Sequence, residues 1–320
     1  MKKTDQSAAF LSYADCMPRL SWHGAVEALR RGHGFPAAEI RDVFLGPASG
    51  TMMSRSAYIE GLGYGAKSFT VFGANAARGL PTVQGAMLVF DPENGALSAI
   101  VDSPLVTELK TAADSVLGAS LLARPGSRHL LIVGAGTVAT SLVKAYTEVL
   151  PTLDRVSIWA RRPEQARALV ATLSASLGGI DAEIAVAEDL REAIGAADIV
   201  SSATMAREPV ILGDWVRPGT HVDLIGAFKA DMREADDRLI AGSALFVDSR
   251  ATTLGHIGEL IMPIESGAIT AGDVLGDLYD LVREDARRRV SDDEITVYKN
   301  GGGAHMDLMI ATYIAETMAG

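Results

Sequence analysis

The chain has 320 residues, 48% of them hydrophobic, with a formal net charge of -11 and a single cysteine, Cys16. That length predicts two domains with sizeable cores, the negative charge argues against a general nucleic-acid binder, which needs a basic stripe against the phosphates, and one cysteine excludes an intramolecular disulfide or a cysteine zinc cluster. The start at residues 1–7 is polar, and no uncharged apolar run reaches the roughly 18–20 residues that span a bilayer, so a cytoplasmic protein with no membrane partner is expected.

Leu20, Val26 and Leu29 mark the apolar side of a helix predicted over 17–31. Short strands follow at 43–45, 51–53 and 66–72, separated by glycine-rich turns, and strands at 85–90 and 96–101 pair around a turn at 91–95. This strand-rich opening points to a separate α+β unit. A helix over 107–123 is stopped by Arg124, Pro125 and Gly126. Beyond it, strands at 129–133, 155–160, 183–186 and 199–202 alternate with helices at 138–150, 163–176 and 190–195, and further strands come at 221–225 and 245–247. Such alternation predicts a parallel sheet covered on both faces. The expected fold class is α/β: a Rossmann-type doubly wound parallel sheet over 125–303 plus an α+β domain over 1–124, to which a terminal apolar helix, within 304–320, returns.

The strongest local signal is the run from His129 to Ala139. Gly134 permits a tight turn, Gly136 lets backbone approach a pyrophosphate, and Ala139 is small enough for close helix–strand packing. A helix opening at Thr137 and Val138 then offers free N–H groups and a positive dipole end to phosphates. An apolar strand before the turn and a helix after it are the context that gives this motif meaning, and they predict NAD(P)H. The second strand ends in Arg161 and Arg162 rather than in an acid that would hold a free ribose 2′-hydroxyl. Both arginines are placed to pair with a 2′-phosphate, which favours NADPH, while NADH stays open. The six histidines, His23, His33, His129, His221, His256 and His305, show no ligand spacing, and no metal is expected.

Several segments together resemble the ornithine cyclodeaminase/mu-crystallin family: Gly65 to Pro81 around Lys67, Thr107 to Ala113 around Lys110, the turn from Gly134 to Ala139, Ala203–Thr204 with Pro209, Pro218–Gly219, Gly226 with Arg233–Glu234, and Ile295 to Gly301 with Asp307. The likeness covers nearly the whole chain in order. It implies an NAD(P)-dependent oxidoreductase whose first domain binds substrate and pairs two subunits into a homodimer. Lys67 matches the active-site lysine, an ammonium able to hold a carboxylate or give a proton to an imine nitrogen. Arg41 lies about where a carboxylate-binding arginine is expected, and Lys110 replaces an arginine with the same duty, keeping the charge but losing the planar fork. Cofactor contacts are expected from Thr111, Gly134, Gly136, Thr137, Val138, Arg161, Arg162, Thr204 and Phe228. Asp307 is read either as fixing Lys67 or the nicotinamide loop, or as structural.

Two departures sharpen the chemistry. Aligned on Gly226 and Glu234, Phe228 stands where cyclodeaminases carry an aspartate that handles water or amine. Phenylalanine cannot move protons, so hydrolytic loss of ammonia should suffer while hydride delivery need not. Arg55 is a second cation in a stretch that is usually apolar or small in the family; buried beside a one-carboxylate substrate it would be uncompensated, and a dicarboxylate would compensate it, the alternative being that Arg55 points to solvent or to an internal acid. The reading is therefore a reductase of small anionic 2-imino acids to L-amino acids, docked between the domains, with iminosuccinate to L-aspartate first and Δ1-pyrroline-2-carboxylate to L-proline next. The competing readings are an ornithine cyclodeaminase and a non-catalytic protein that binds NADPH or a small ligand.

Overall fold

The computed structural model describes residues 8–176 and 181–320. They form two compact units, one of the described residues up to Lys110 with Gly303–Gly320, the other Thr111–Gly302. The boundary falls inside the helix Ser103–Leu122 and not at the Arg124 stop. Past Lys110 this helix is committed to the second unit's core: Asp114 accepts the Tyr298 hydroxyl at 2.6 Å, and the Ser115 hydroxyl donates to Asp223 at 3.1 Å.

In the first unit β1 (Ala9–Leu11), β2 (Glu39–Leu45), β3 (Thr51–Ile59), β4 (Gly63–Val71), β5 (Val83–Phe90) and β6 (Leu97–Asp102) form one sheet in the order β1-β6-β5-β4-β3-β2. All neighbours are antiparallel except β1 and β6. Alternate residues of β4, namely Gly63, Gly65 and Lys67, are buried, as a half-covered strand requires. The terminal helix Ala304–Ala319 lies on that face: a Cβ on Gly65 would come within 2.8 Å of Leu308. The helix Trp22–Gly32 packs on the terminal helix through Gly24 and Gly32, where a Cβ would strike Tyr313 and Met309.

Three expectations change here. In place of one helix over 17–31, a short helix Tyr13–Cys16 and a 3-10 turn Met17–Arg19 precede Trp22–Gly32, because the Ser21 side chain accepts the Gly24 N–H and restarts the helix. Strands β2 and β3 run longer than expected: in β3 Ser54 and Ser56 interrupt the apolar pattern without interrupting the ladder, and β2 pairs with it from Glu39 to Leu45. The three-residue strand β1 was not anticipated.

The second unit is one parallel sheet of β7 (His129–Val133), β8 (Arg155–Trp159), β9 (Glu183–Val186), β10 (Ile199–Ser202), β11 (His221–Leu224), β12 (Ala244–Val247), β13 (Val274–Gly276) and β14 (Thr296–Lys299). The order is β13-β12-β14-β11-β10-β7-β8-β9. Strand order reverses between β7 and β10, the switch point at which open α/β sheets bind ligands beyond their carboxyl ends. β13 and β14 were missed as strands. β14 is the last in sequence yet sits between β11 and β12, and it carries a fully buried Lys299 whose ammonium donates to the carbonyls of Leu224 and Asn300, both at 2.8 Å. A lysine at the end of a four-residue segment does not read as sheet centre. No helix among the described residues is long and apolar enough to cross a membrane.

Candidate active site

Sheet register builds the first unit's cluster. Asp42, Arg55, Lys67 and Met87 stand opposite one another across β2, β3, β4 and β5, so their side chains share one face. Lys67 is 4% exposed, and its ammonium donates to Asp307 Oδ1 at 2.8 Å and to Thr107 Oγ1 at 3.3 Å. Lys110 Nζ stands 4.0 Å from the same carboxylate oxygen. Asp307 is fully buried, and its Oδ2 has no hydrogen-bond partner among the described residues. A terminal helix that looks merely apolar thus brings one acid to two lysines from distant parts of the chain.

The electrostatics follow from burial and charge. Burial pulls the Lys67 ammonium below the ordinary lysine range; Asp307 pushes it back up, and Lys110 and Arg55 pull it down again. Burial alone would raise Asp307, but the positive charges of Lys67, Lys110 and Arg55 outweigh it and hold the carboxyl below its ordinary value. Asp307 is thus held toward its charged form, beside a lysine that gives up its proton more readily than one in water. Such a group suits both anchoring a carboxylate and protonating nitrogen.

Two expectations about cations are corrected. Arg41 stands in the row Arg41, Ser56, Ala66, Leu88, on the opposite face of the sheet from Lys67. It is exposed and donates to the Ile40 carbonyl at 2.7 Å. One residue of register separates the two faces, so Arg41 is not brought to Lys67 within this unit. Arg55 is on the right face but is not uncompensated: its Nε and Nη2 lie 3.0 and 2.9 Å from Asp42 Oδ2. The inference from Arg55 to a second substrate carboxylate loses its premise.

In the second unit the strand β7 is wholly buried and delivers the turn at Gly134. Gly134 has φ of +120°, and a Cβ there would lie 2.7 Å from the Ala203 carbonyl, so conformation and space both demand glycine. Gly136 caps the helix Thr137–Val149 without a side-chain bond, and a Cβ on it would meet nothing within 4 Å. The helix thus starts on open space with uncapped N–H groups, and the buried Ala139 seats it against the sheet. These residues fit a dinucleotide's pyrophosphate. An adjoining cleft of about 310 Å³ is lined by Gly134, Gly136, Trp159, Arg161, Arg162 and Thr204, among others. Both arginines are exposed and free of ion pairs among the described residues. Thr111, whose carbonyl accepts the Asn300 amide at 3.1 Å, and Phe228, which is 52% exposed with Lys229 Nζ 5.4 Å from its ring centre, are outside that cleft's lining.

Sequence reasoning missed the group that shapes this cleft. The buried Glu234 accepts the Thr204 N–H, the Thr204 hydroxyl and the Ser202 hydroxyl on Oε1, each at 2.7 Å, and the Gly226 N–H on Oε2 at 2.6 Å. It ties together the chain leaving β10 and β11. Glu259 in turn accepts the N–H groups of Glu234 and Ala235 at 2.8 and 2.9 Å; burial first, and then the Glu234 charge, push its carboxyl up to about 7. Charged residues are by default surface residues, and only the resemblance around Arg233–Glu234 could have drawn notice to this one.

Comparison with known proteins places these features. The family model described as "Ornithine cyclodeaminase/mu-crystallin family" matches residues 27–320. A Delta(1)-pyrroline-2-carboxylate reductase of Paracoccus denitrificans is 75% identical over 320 residues, all of both chains. Among solved structures, Thermococcus litoralis Delta(1)-pyrroline-2-carboxylate reductase in complex with NADH and L-proline superimposes with a TM-score of 0.88 at 29% identity over 97% of each chain. The iminosuccinate reductase of Paracoccus denitrificans in complex with NAD+ gives a TM-score of 0.88 at 25% identity, over 98% of this chain and 96% of that one.

Proposed function

The chain belongs to the ornithine cyclodeaminase/mu-crystallin family and is an NAD(P)H-dependent oxidoreductase acting on C=N bonds, and from that premise we propose that its substrate is Δ1-pyrroline-2-carboxylate, reduced to L-proline. The observation that carries this is the charge of the cluster around the buried Lys67, Lys110 and Asp307. Lys67, Lys110 and Arg55 face Asp307 and Asp42, three cations against two carboxylates. One substrate carboxylate makes the set neutral; two would leave it negative. The relative that is 75% identical supports the same choice.

Reducing a C=N bond adds one hydride and one proton. NAD(P)H supplies the hydride when bound. The rest is this chain's work: Lys67 and Lys110 hold the α-carboxylate, Lys67 is the best placed proton donor to the imine nitrogen, and Asp307 stays ionised to aim it. Fixed charges of this kind need little reorganisation during the reaction. In the second unit Gly134, Gly136, Thr137 and Val138 would receive the pyrophosphate, Thr204 is held by Glu234, and Arg161 and Arg162 would pair with a 2′-phosphate, which favours NADPH. We also read Thr111 and Phe228 as bordering the cofactor. The exposed apolar edge formed by Val43, Phe44 and Leu45, with exposures of 50%, 61% and 59%, supports a homodimer through the first unit.

The test is steady-state kinetics with NADH and NADPH on Δ1-pyrroline-2-carboxylate, on iminosuccinate formed from oxaloacetate and ammonium, and on ornithine with NAD+. The expected result is reduction of the cyclic imine with the highest kcat/KM, better with NADPH, and no ammonia from ornithine, because Phe228 cannot serve as a base. Failure on every 2-imino acid at millimolar concentration would end the reading.

A further inference from the structure

We propose that Asp42 sets the charge class of the substrate: by occupying Arg55 it restricts the site to imino acids with a single carboxylate. This rests on the reading of the Lys67 cluster as the imino-acid site. Asp42 and Arg55 are direct partners across β2 and β3, and Arg55 and Lys67 are direct partners across β3 and β4. Side chains so paired have Cβ atoms about 4.5–5.5 Å apart, so the guanidinium and the ammonium are neighbours on one face. The charge of Arg55 is accordingly felt at both Lys67 and Asp307.

The Arg55 side chain is 19% exposed and that of Asp42 27%, so the pair stays in reach of solvent and of a solute. Both contacting nitrogens, Nε and Nη2, point at a single oxygen, Asp42 Oδ2. That edge of the guanidinium is one of the two that a planar carboxylate can take in a two-pronged grip. A dicarboxylate whose distal group reached Arg55 would therefore meet a donor edge already filled, with a like charge beside it. Asp42 discriminates by exclusion, the repulsive half of specificity, while Lys67 and Lys110 supply the attraction common to all 2-imino acids.

Removing the charge at position 42 should then release Arg55 for a second carboxylate. The experiment measures kcat/KM for Δ1-pyrroline-2-carboxylate and for iminosuccinate in the wild type, in Asp42→Asn and in the double variant Asp42→Asn/Arg55→Met. The ratio favouring iminosuccinate should rise at least about tenfold in Asp42→Asn, about 1.4 kcal/mol, and fall back in the double variant. Inhibition constants of succinate relative to pyrrole-2-carboxylate should move the same way, which reads binding apart from turnover. Asp42→Ser gives the same comparison should the asparagine variant fail to fold. A folded variant whose ratio stays within twofold of wild type overturns this proposal alone. A wild type inactive on both imines overturns the reading of the site itself and this proposal with it.

Discussion

In the role proposed for it, Lys67 combines two demands that ordinarily conflict: it is charged to hold an anion and releases a proton to nitrogen. Burial lowers its pKa and Asp307 limits the fall, so the carboxylate acts as a positioning residue whose charge tunes the lysine. If the ammonium is the active form, kcat/KM declines as pH rises through the Lys67 pKa. Asp307→Asn removes the group that raises that pKa, so the alkaline limb should move to lower pH. A pH–rate profile checks this; a loss of kcat with the limb unmoved would mean that Asp307 merely supports the fold. At this scale Lys67 and Lys110 were legible through the motif around each, whereas Arg41 was assigned to the cluster and lies on the other face. The Asp42 and Arg55 pair had a signal in the sequence. A hairpin with Leu45 opposite Met52 places residue 42 opposite residue 55, but only once both strands are read at full length.

Elements carry the next level of the account. The run from β7 through Gly134 to the helix Thr137–Val149 was legible because each residue's local preference agrees with its place in the fold. The strand β14 was not, because a fully buried lysine at a strand's end is recognised only when the carbonyls that receive it are in place. The strand β2 holds the clearest prediction at this scale. It is the edge of its sheet, and its last three residues are apolar and exposed, a combination that a protein working alone would be expected to blunt with charge. Val43→Lys combined with Leu45→Lys should convert a dimer into a monomer in sedimentation equilibrium at micromolar concentration. A wild type of monomer mass, or a variant that keeps the dimer, would contradict the assignment of this edge.

Across the whole molecule, one unit presents an ion cluster with a single surplus positive charge and the other a glycine turn with a bare helix end. The sequence carried this division of labour because nucleotide binding depends on a local run, whereas the ion cluster draws on β2, β3, β4, the helix Ser103–Leu122 and the terminal helix. Asp307, 240 positions from Lys67, was linked to it beforehand only through the family resemblance, and the contact itself is made by the fold. The most direct test is a crystal structure with NAD+ and L-proline bound. The proline carboxylate should lie within hydrogen-bonding distance of Lys67 Nζ or Lys110 Nζ, with Arg55 still on Asp42. A carboxylate seated away from both lysines, or one gripped by Arg55 alone, would contradict the account.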